Sequence, residues 1–351
     1  MTSFESDYNN GAHPEILRKF IETNAIQSAS YGYDQWSESA RDKIRKATQC
    51  PNAVIFFLAG GTQTNATVID SLIASYEGTL AVETAHINVH ESGAVEAFGR
   101  KVLTLPSHNG KMDANDLQTY LKAYHTNPTW EHMVYPGMVY LTFPTELGTV
   151  YQAAEIDYIH TICQQYNIPL FIDGARLGYG LMSDECDFDL PWLAHHCDAF
   201  YIGGTKVGAL CGEAVVFSQG NAPRQFFTIV KRHGALLAKS RVVGVQFDAL
   251  FTGNLYFHIA QHAVEKALQL RQIFTDAGLT VRSSSTNQQF VELSNFQMEI
   301  LMQHILFEIW EPIDETHTLC RFVTSWATTD YDMRELINAV KTIQLPKHKN
   351  F

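Results

Sequence analysis

Short apolar runs, each stopping at a small or charged residue, alternate with helix-patterned segments. This alternation limits the folds open to the chain more than any other feature. Runs at 53–58, 80–82, 101–105, 138–143, 169–172, 199–202 and 213–217 read as strands, with helical patterns at 13–50, 65–75 and 153–166 between them. Nearly continuous apolar strands separated by helices predict βαβ units around a mainly parallel sheet, buried on both faces. In such sheets ligands gather at the carboxyl ends of the strands. Beyond about residue 245 the pattern changes. A helix at 257–277 leads into strands at 281–282, 289–293, 307–310 and 319–325 and a last helix at 330–343, which predicts a smaller α+β unit. The expected division is a large domain over 1–248, N-terminal arm included, and a small C-terminal domain over 249–351.

Composition narrows the function classes. The 351 residues are 46% hydrophobic and 18% charged, enough for two cores and unlike a disordered chain. Lys and Arg number 25 against 37 Asp and Glu, a net charge of −12. That balance opposes a nucleic-acid partner, whose phosphates need a positive surface, but leaves room for a local basic pocket. The six cysteines form no C-x-x-C pair, so neither a thiolate zinc cluster nor a disulfide scaffold is expected. The N-terminus is polar and acidic, and no apolar run reaches the ~18 residues of a membrane span. A soluble protein of the reducing cytoplasm is expected.

Four segments carry chemistry. Ala59-Gly60-Gly61-Thr62-Gln63-Thr64-Asn65 joins a strand to a helix. Its glycines permit close backbone approach, the helix start offers free N–H groups, and Thr62 and Thr64 add hydroxyls, which suits a phosphate; a plain capped turn has the same look. In Pro169-Leu170-Phe171-Ile172-Asp173-Gly174-Ala175-Arg176 an apolar strand ends in a carboxylate, readable as a ligand group or a helix cap. Lys206 follows Ile202-Gly203-Gly204-Thr205, with no other charge between Asp198 and Glu213. A lysine in such surroundings loses proton affinity and becomes a nucleophile, although snorkelling from a turn would place it there too. His86 and His90, with Glu91, have the spacing of two metal ligands but not the H-E-x-x-H order. A flat imidazole stacked on a flat cofactor fits better, and no metal is expected. A phosphate loop, a stacking histidine, an Asp at a strand end and a nucleophilic Lys are the parts a pyridoxal phosphate enzyme needs.

Gly61-Thr62-Gln63, Ala85-His86, Asp173-Gly174-Ala175-Arg176 and Lys206, together with Ser6-Asp7 and Arg321 near the two ends, make the chain resemble the threonine aldolase branch of the β-eliminating lyase superfamily. These are pyridoxal phosphate enzymes of fold type I. The resemblance implies that Lys206 carries the cofactor as a Schiff base, Asp173 pairs with the pyridine nitrogen and His86 stacks on the ring. Gly61, Thr62 and Thr205 would hold the phosphate, and Arg241, lent by a neighbouring subunit, would complete that site. Arg176 would lie against the cofactor and, with Ser6 and Arg321, would bind the α-carboxylate of an amino-acid substrate. The implied reaction is retro-aldol cleavage of threonine, allo-threonine or phenylserine to glycine and an aldehyde, in a dimer or tetramer with shared active sites. β-Elimination or transamination on the same scaffold are the alternatives. One departure stands out: Thr145-Glu146-Leu147-Gly148 occupies the place of the family's Thr-His-Asn-Gly stretch. This is similar to a sub-branch that includes phenylserine aldolases. It leaves Glu146, His86, His90 or a water as the base.

Overall fold

A computed structural model describes residues 1–344, so the end of the expected small domain, 345–351, lies outside it. The strands are β1 (Thr2–Ser3), β2 (Val54–Leu58), β3 (Glu77–Val82), β4 (Lys101–Leu105), β5 (Tyr135–Thr142), β6 (Leu170–Asp173), β7 (Ala199–Gly203), β8 (Glu213–Phe217), β9 (Thr280–Arg282), β10 (Gln288–Ser294), β11 (Ile305–Leu306), β12 (Glu308–Pro312) and β13 (His317–Val323). Seven form the central sheet in the order β2-β8-β7-β6-β5-β3-β4. The mainly parallel sheet is as expected; β8 alone runs against its two neighbours. All residues of β6, β7 and β8 are buried, which is why these strands lack polar alternation.

Local signals set the helix ends. Asp34 accepts the N–H groups of Trp36 and Ser37 and starts the helix Gln35–Thr48. A reciprocal Gln152–Glu155 box starts Ala153–Tyr166. The sequence pattern gives no element for the helix Ala114–Thr126. Its buried residues, Ala114, Leu117, Leu121 and Tyr124, form a thin stripe in an otherwise polar segment. No helix among the described residues is long and apolar enough to cross a membrane.

The hydrophobic residues fall into two clusters, one around the central sheet and one around the antiparallel sheet β12-β13-β10-β9. The division differs from the expected one. A cut at 248/249 would pass through the helix Arg241–Leu250, which packs into the large core from Val243 onward. The cores divide instead within the helix Leu255–Asp276: Tyr256, Ile259, Ala260, Ala263 and Val264 belong to the large core, Leu270 and Phe274 to the small one. The N-terminal arm also changes side. β1 pairs with β11, and Phe4 sits in the small core. This anchorage carries Asp7 and Tyr8 to the edge of the large domain.

Antiparallel pairing puts Glu213, the first residue of β8, beside Leu58 and Gly203, the last residues of β2 and β7. Thr142 and Asp173 end β5 and β6 at the same edge. There β6 and β7 meet closely: Gly203 N–H bonds to Gly174 O at 2.9 Å. A Cβ on Gly174 would lie 2.0 Å from Tyr201 O, and one on Gly203 would lie 2.2 Å from Ala175 O. Neither obstacle is a side chain that can swing away. Gly174→Ala and Gly203→Ala are each expected to lose about 1–3 kcal/mol of stability in denaturant unfolding; wild-type midpoints would show that the strand ends can part freely.

Candidate active site

At this edge lies a cavity of about 270 Å³, lined by Gly61, Thr62, His86, Glu146, Asp173, Arg176, Thr205, Lys206 and Glu213. Most residues picked out by sequence therefore converge; Ser6, Thr64, His90, Arg241 and Arg321 do not line this cavity and are taken up below. Lys206 follows β7 in a turn whose carbonyl accepts the Tyr179 hydroxyl at 2.5 Å. Burial, and next the charge of Arg176, pull its amine below the ordinary lysine range. Its Nζ lies 6.0 Å from the Tyr8 ring centroid.

Asp173 is held by neutral donors. Its Oδ2 accepts the Tyr140 hydroxyl at 2.6 Å and Asn65 Nδ2 at 2.8 Å, and its Oδ1 accepts Ala175 N–H at 2.9 Å. Burial, then the Asp173 charge, push the phenols of Tyr140 and Tyr201 well above their ordinary range, so both remain protonated donors. Among the described residues no Lys, Arg or His forms an ion pair with Asp173. A buried carboxylate without a counter-cation is suited to a protonated ring nitrogen.

His86 opens the short helix His86–Val89. Its Nδ1–H donates to Glu91 Oε1 at 2.8 Å, and Asn65 Nδ2 donates to the same oxygen at 2.7 Å. Asn65 thus ties the carboxylate behind His86 to Asp173. His86 N–H and the Thr142 hydroxyl both donate to Glu146 Oε1, each at 2.8 Å. Glu146 Oε2 is buried without a partner, and burial raises the Glu146 pKa. Asn65 and Glu91 lie within the phosphate-loop and histidine segments, but their roles as partners of Asp173 and His86 were not foreseen, and no motif pointed to Tyr140.

The helix Gly61–Leu72 starts at Gly60 with no side-chain cap, and its first backbone bond runs from Thr64 N–H to Gly60 O. The N–H groups before it face the cavity corner free of carbonyl partners, a ready anion site. Thr64 is not part of it, because its hydroxyl donates to Gly60 O at 2.9 Å. Thr205 is engaged as well. Its hydroxyl donates to Glu213 Oε1 at 2.7 Å and accepts Gly212 N–H at 3.0 Å. Glu213 Oε2 accepts Gly204 N–H at 3.0 Å, so this carboxyl holds the turn that presents Lys206. Burial pushes the Glu213 carboxyl up to about 7, against Thr205, Gly204 and Lys206.

The arginines are paired in advance. Asp7, unforeseen as a site residue, accepts Arg176 Nε at 2.7 Å and NH2 at 3.1 Å. Burial alone would raise the Asp7 pKa, but Arg176 and Lys206 hold it below the usual carboxylate range. Arg321 lies in an adjoining chamber of about 220 Å³ that shares Tyr8, His86, Glu146, Arg176 and Lys206 with the first and adds His90, Glu308 and Trp310. Two expected residues fall elsewhere. Ser6 is turned away: its hydroxyl donates to Asn9 Oδ1 at 2.7 Å in a separate surface recess, because the arm sends Asp7 inward instead. Arg241 donates to Thr23 O and Ile26 O, each at 2.6 Å, and covers the Trp36 ring; within one chain it touches neither chamber. No group of His, Cys, Asp and Glu among the described residues could hold a metal.

Glu213 has a measurable consequence. Its folded pKa of about 7 lies above the ordinary 4.5. The stability this contributes is complete below about 4.5 and is lost as pH rises through 7. In cofactor-free protein, Glu213→Gln is expected to flatten the fall of Tm between pH 5 and 8; parallel Tm curves would show that Glu213 is ionised throughout.

Comparison with known proteins agrees with this geometry. A family model described as Beta-eliminating lyase matches residues 4–295. A low specificity L-threonine aldolase from Pseudomonas sp. (strain NCIMB 10558) is 30% identical over 353 residues, with 97% of each chain covered. A solved structure of Leishmania major threonine aldolase matches with a TM-score of 0.94 and 34% identity, over 98% of this chain and 100% of that one. A putative L-allo-threonine aldolase from Listeria monocytogenes EGD-E shares the fold, at a TM-score of 0.74 and 16% identity over 97% of each chain. The architecture is the fold-type I one that the resemblance implied, and the chain belongs to the beta-eliminating lyase family.

Proposed function

We propose that this protein is a pyridoxal phosphate-dependent aldolase. It would cleave β-hydroxy-α-amino acids such as threonine, allo-threonine or phenylserine to glycine and an aldehyde. The observation that carries the reading is the placement of Asp173 at the end of β6 and Lys206 in the turn after the neighbouring β7, on one cavity bounded by an uncapped helix start. The relatives called threonine aldolases support it.

The residues fit the cofactor. Lys206, with its lowered proton affinity, would anchor the aldehyde carbon. Asp173, held by three donors and by no cation, would take the protonated pyridine nitrogen. His86, fixed through Glu91, would lie on the ring face. Gly61 and Thr62 would receive the phosphate at the helix start. Thr205 and Arg176 would border the cofactor, Thr205 from the turn that Glu213 holds. When bound, pyridoxal phosphate supplies an electron-withdrawing ring that accepts the electron pair left on Cα as a bond to it breaks.

The chain's own residues then orient and move protons. Arg321 would grip the substrate carboxylate, with Arg176 as a second positive wall. That grip would fix how the amino acid is turned at Cα and so which of its bonds is broken. Glu146 would take the β-hydroxyl proton. Its Oε1 is already occupied by two donors, whereas Oε2 is free, and its raised pKa brings it closer to a base poised for neutral pH. His86 is committed to Glu91 through Nδ1, and His90 stands beside it in the adjoining chamber.

The phosphate corner has backbone donors, but Arg176, which lines the same cavity, is already matched by Asp7. A cation from a second copy would balance a phosphate dianion, which supports a homo-oligomer with shared sites. Six free thiols suit the reducing cytoplasm.

Incubation with threonine isomers and phenylserine is expected to release glycine and an aldehyde; ammonia and a keto acid without glycine would contradict the aldolase reading. With the preferred substrate, kcat should rise with pH as Glu146 loses its proton. Glu146→Gln should lower kcat by about 10²–10⁴ and remove that limb. Undiminished turnover in the variant would move the proton to another acceptor.

A further inference from the structure

Two arginines border the site, and each already has a carboxylate, but the two pairs differ in kind. The Asp7 side chain is fully buried: Arg176 grips both of its oxygens, and Asn287 Nδ2 donates to one of them at 2.9 Å. Opening that pair would strand a charge away from water. Arg321 on β13 sits directly opposite Glu308 on β12 and bonds it through NH2, while NH1 donates to Gln288 Oε1 at 2.8 Å. The Arg321 side chain is 9% exposed, whereas that of Glu308 is 41% exposed. Strand β12 is an edge strand, bulged between Ile309 and Glu311, so Trp310 is its extra residue. Trp310 covers the Arg321 guanidinium at 4.8 Å and lines the same chamber. Arg321 Nε is buried with no partner at all. One arginine is thus fixed to a buried acid. The other holds a half-exposed acid that can swing into water, and it keeps a spare donor.

We propose that Glu308 is an exchangeable counter-ion, which occupies Arg321 while the substrate chamber is empty and yields it to the carboxylate of the incoming amino acid, with Arg176 remaining clamped to Asp7. The proposal rests on the amino-acid substrate class argued above. An internal acid of this sort competes with substrate for one cation, so it weakens ground-state binding and leaves the chemical step unchanged. It also prevents an unpaired buried guanidinium between turnovers.

The test uses the holoenzyme. In Glu308→Gln the competitor is neutral, and KM for threonine is expected to fall about five-fold with kcat unchanged, the effect of removing one partly exposed ion pair. The inhibition constant of propionate, a carboxylate without an amino group, should fall by the same factor. Trp310 fluorescence, corrected with Trp310→Phe, reports propionate binding without turnover. Tighter propionate binding in Glu308→Gln would therefore support the exchange even if threonine were not cleaved, and would locate the failure in the aldolase reading. If KM and propionate affinity are unchanged or weaker in Glu308→Gln, the exchange is overturned. If the variant only unfolds earlier and binds propionate as wild type does, Glu308 merely fastens β12, and the proposal fails.

Discussion

The ends of β6 and β7 approach until backbone meets backbone, with Gly203 N–H on Gly174 O and no room for a Cβ on either residue. This contact sets the spacing of the site. Asp173 is the last residue before Gly174, and Lys206 is the third after Gly203. A wider separation would move the carboxylate and the amine apart by the same amount. Catalytic positioning tolerates little of that, because a misplacement of about 1 Å can cost a hundred-fold in rate.

Around that pair the fold places more carboxylates than cations, and each has a distinct set of fixed donors. Asp173 is served by neutral groups. Glu91 and Asn65 form a bridge from His86 back to Asp173. Glu213 holds the Lys206 turn, and Glu146 leaves one oxygen unused. Asp7 neutralises Arg176 from an arm that belongs, by its strand pairing and its Phe4 contact, to the small core. The site is therefore completed from both cores. The net charge of −12 does not conceal a bare basic pocket, since both arginines arrive already paired.

Much of this was legible in the sequence. Strands buried on both faces appear as unbroken apolar runs, so the parallel sheet and the edge that carries Asp173 and Lys206 follow from pattern alone. The partners do not. Asn65 sits in a helix interior, Tyr140 in the middle of an apolar strand, and Glu213 at a strand start that would ordinarily be far from the carboxyl edge. It reaches that edge because β8 runs backwards, and no short-range signal marks a strand's direction. Ser6 and Asp7 are adjacent where the arm bends and turns after β1, so no periodic pattern marks which of the two side chains faces inward. The domain boundary was misplaced because one long helix serves both cores.

The central claim is that Lys206 is the residue that binds the cofactor covalently beside Asp173. Borohydride reduction of the protein purified with pyridoxal phosphate, followed by peptide mass mapping, tests it directly. The expected result is one stoichiometric phosphopyridoxyl adduct, located on Lys206. An unmodified Lys206, or an adduct spread over surface lysines, would contradict it.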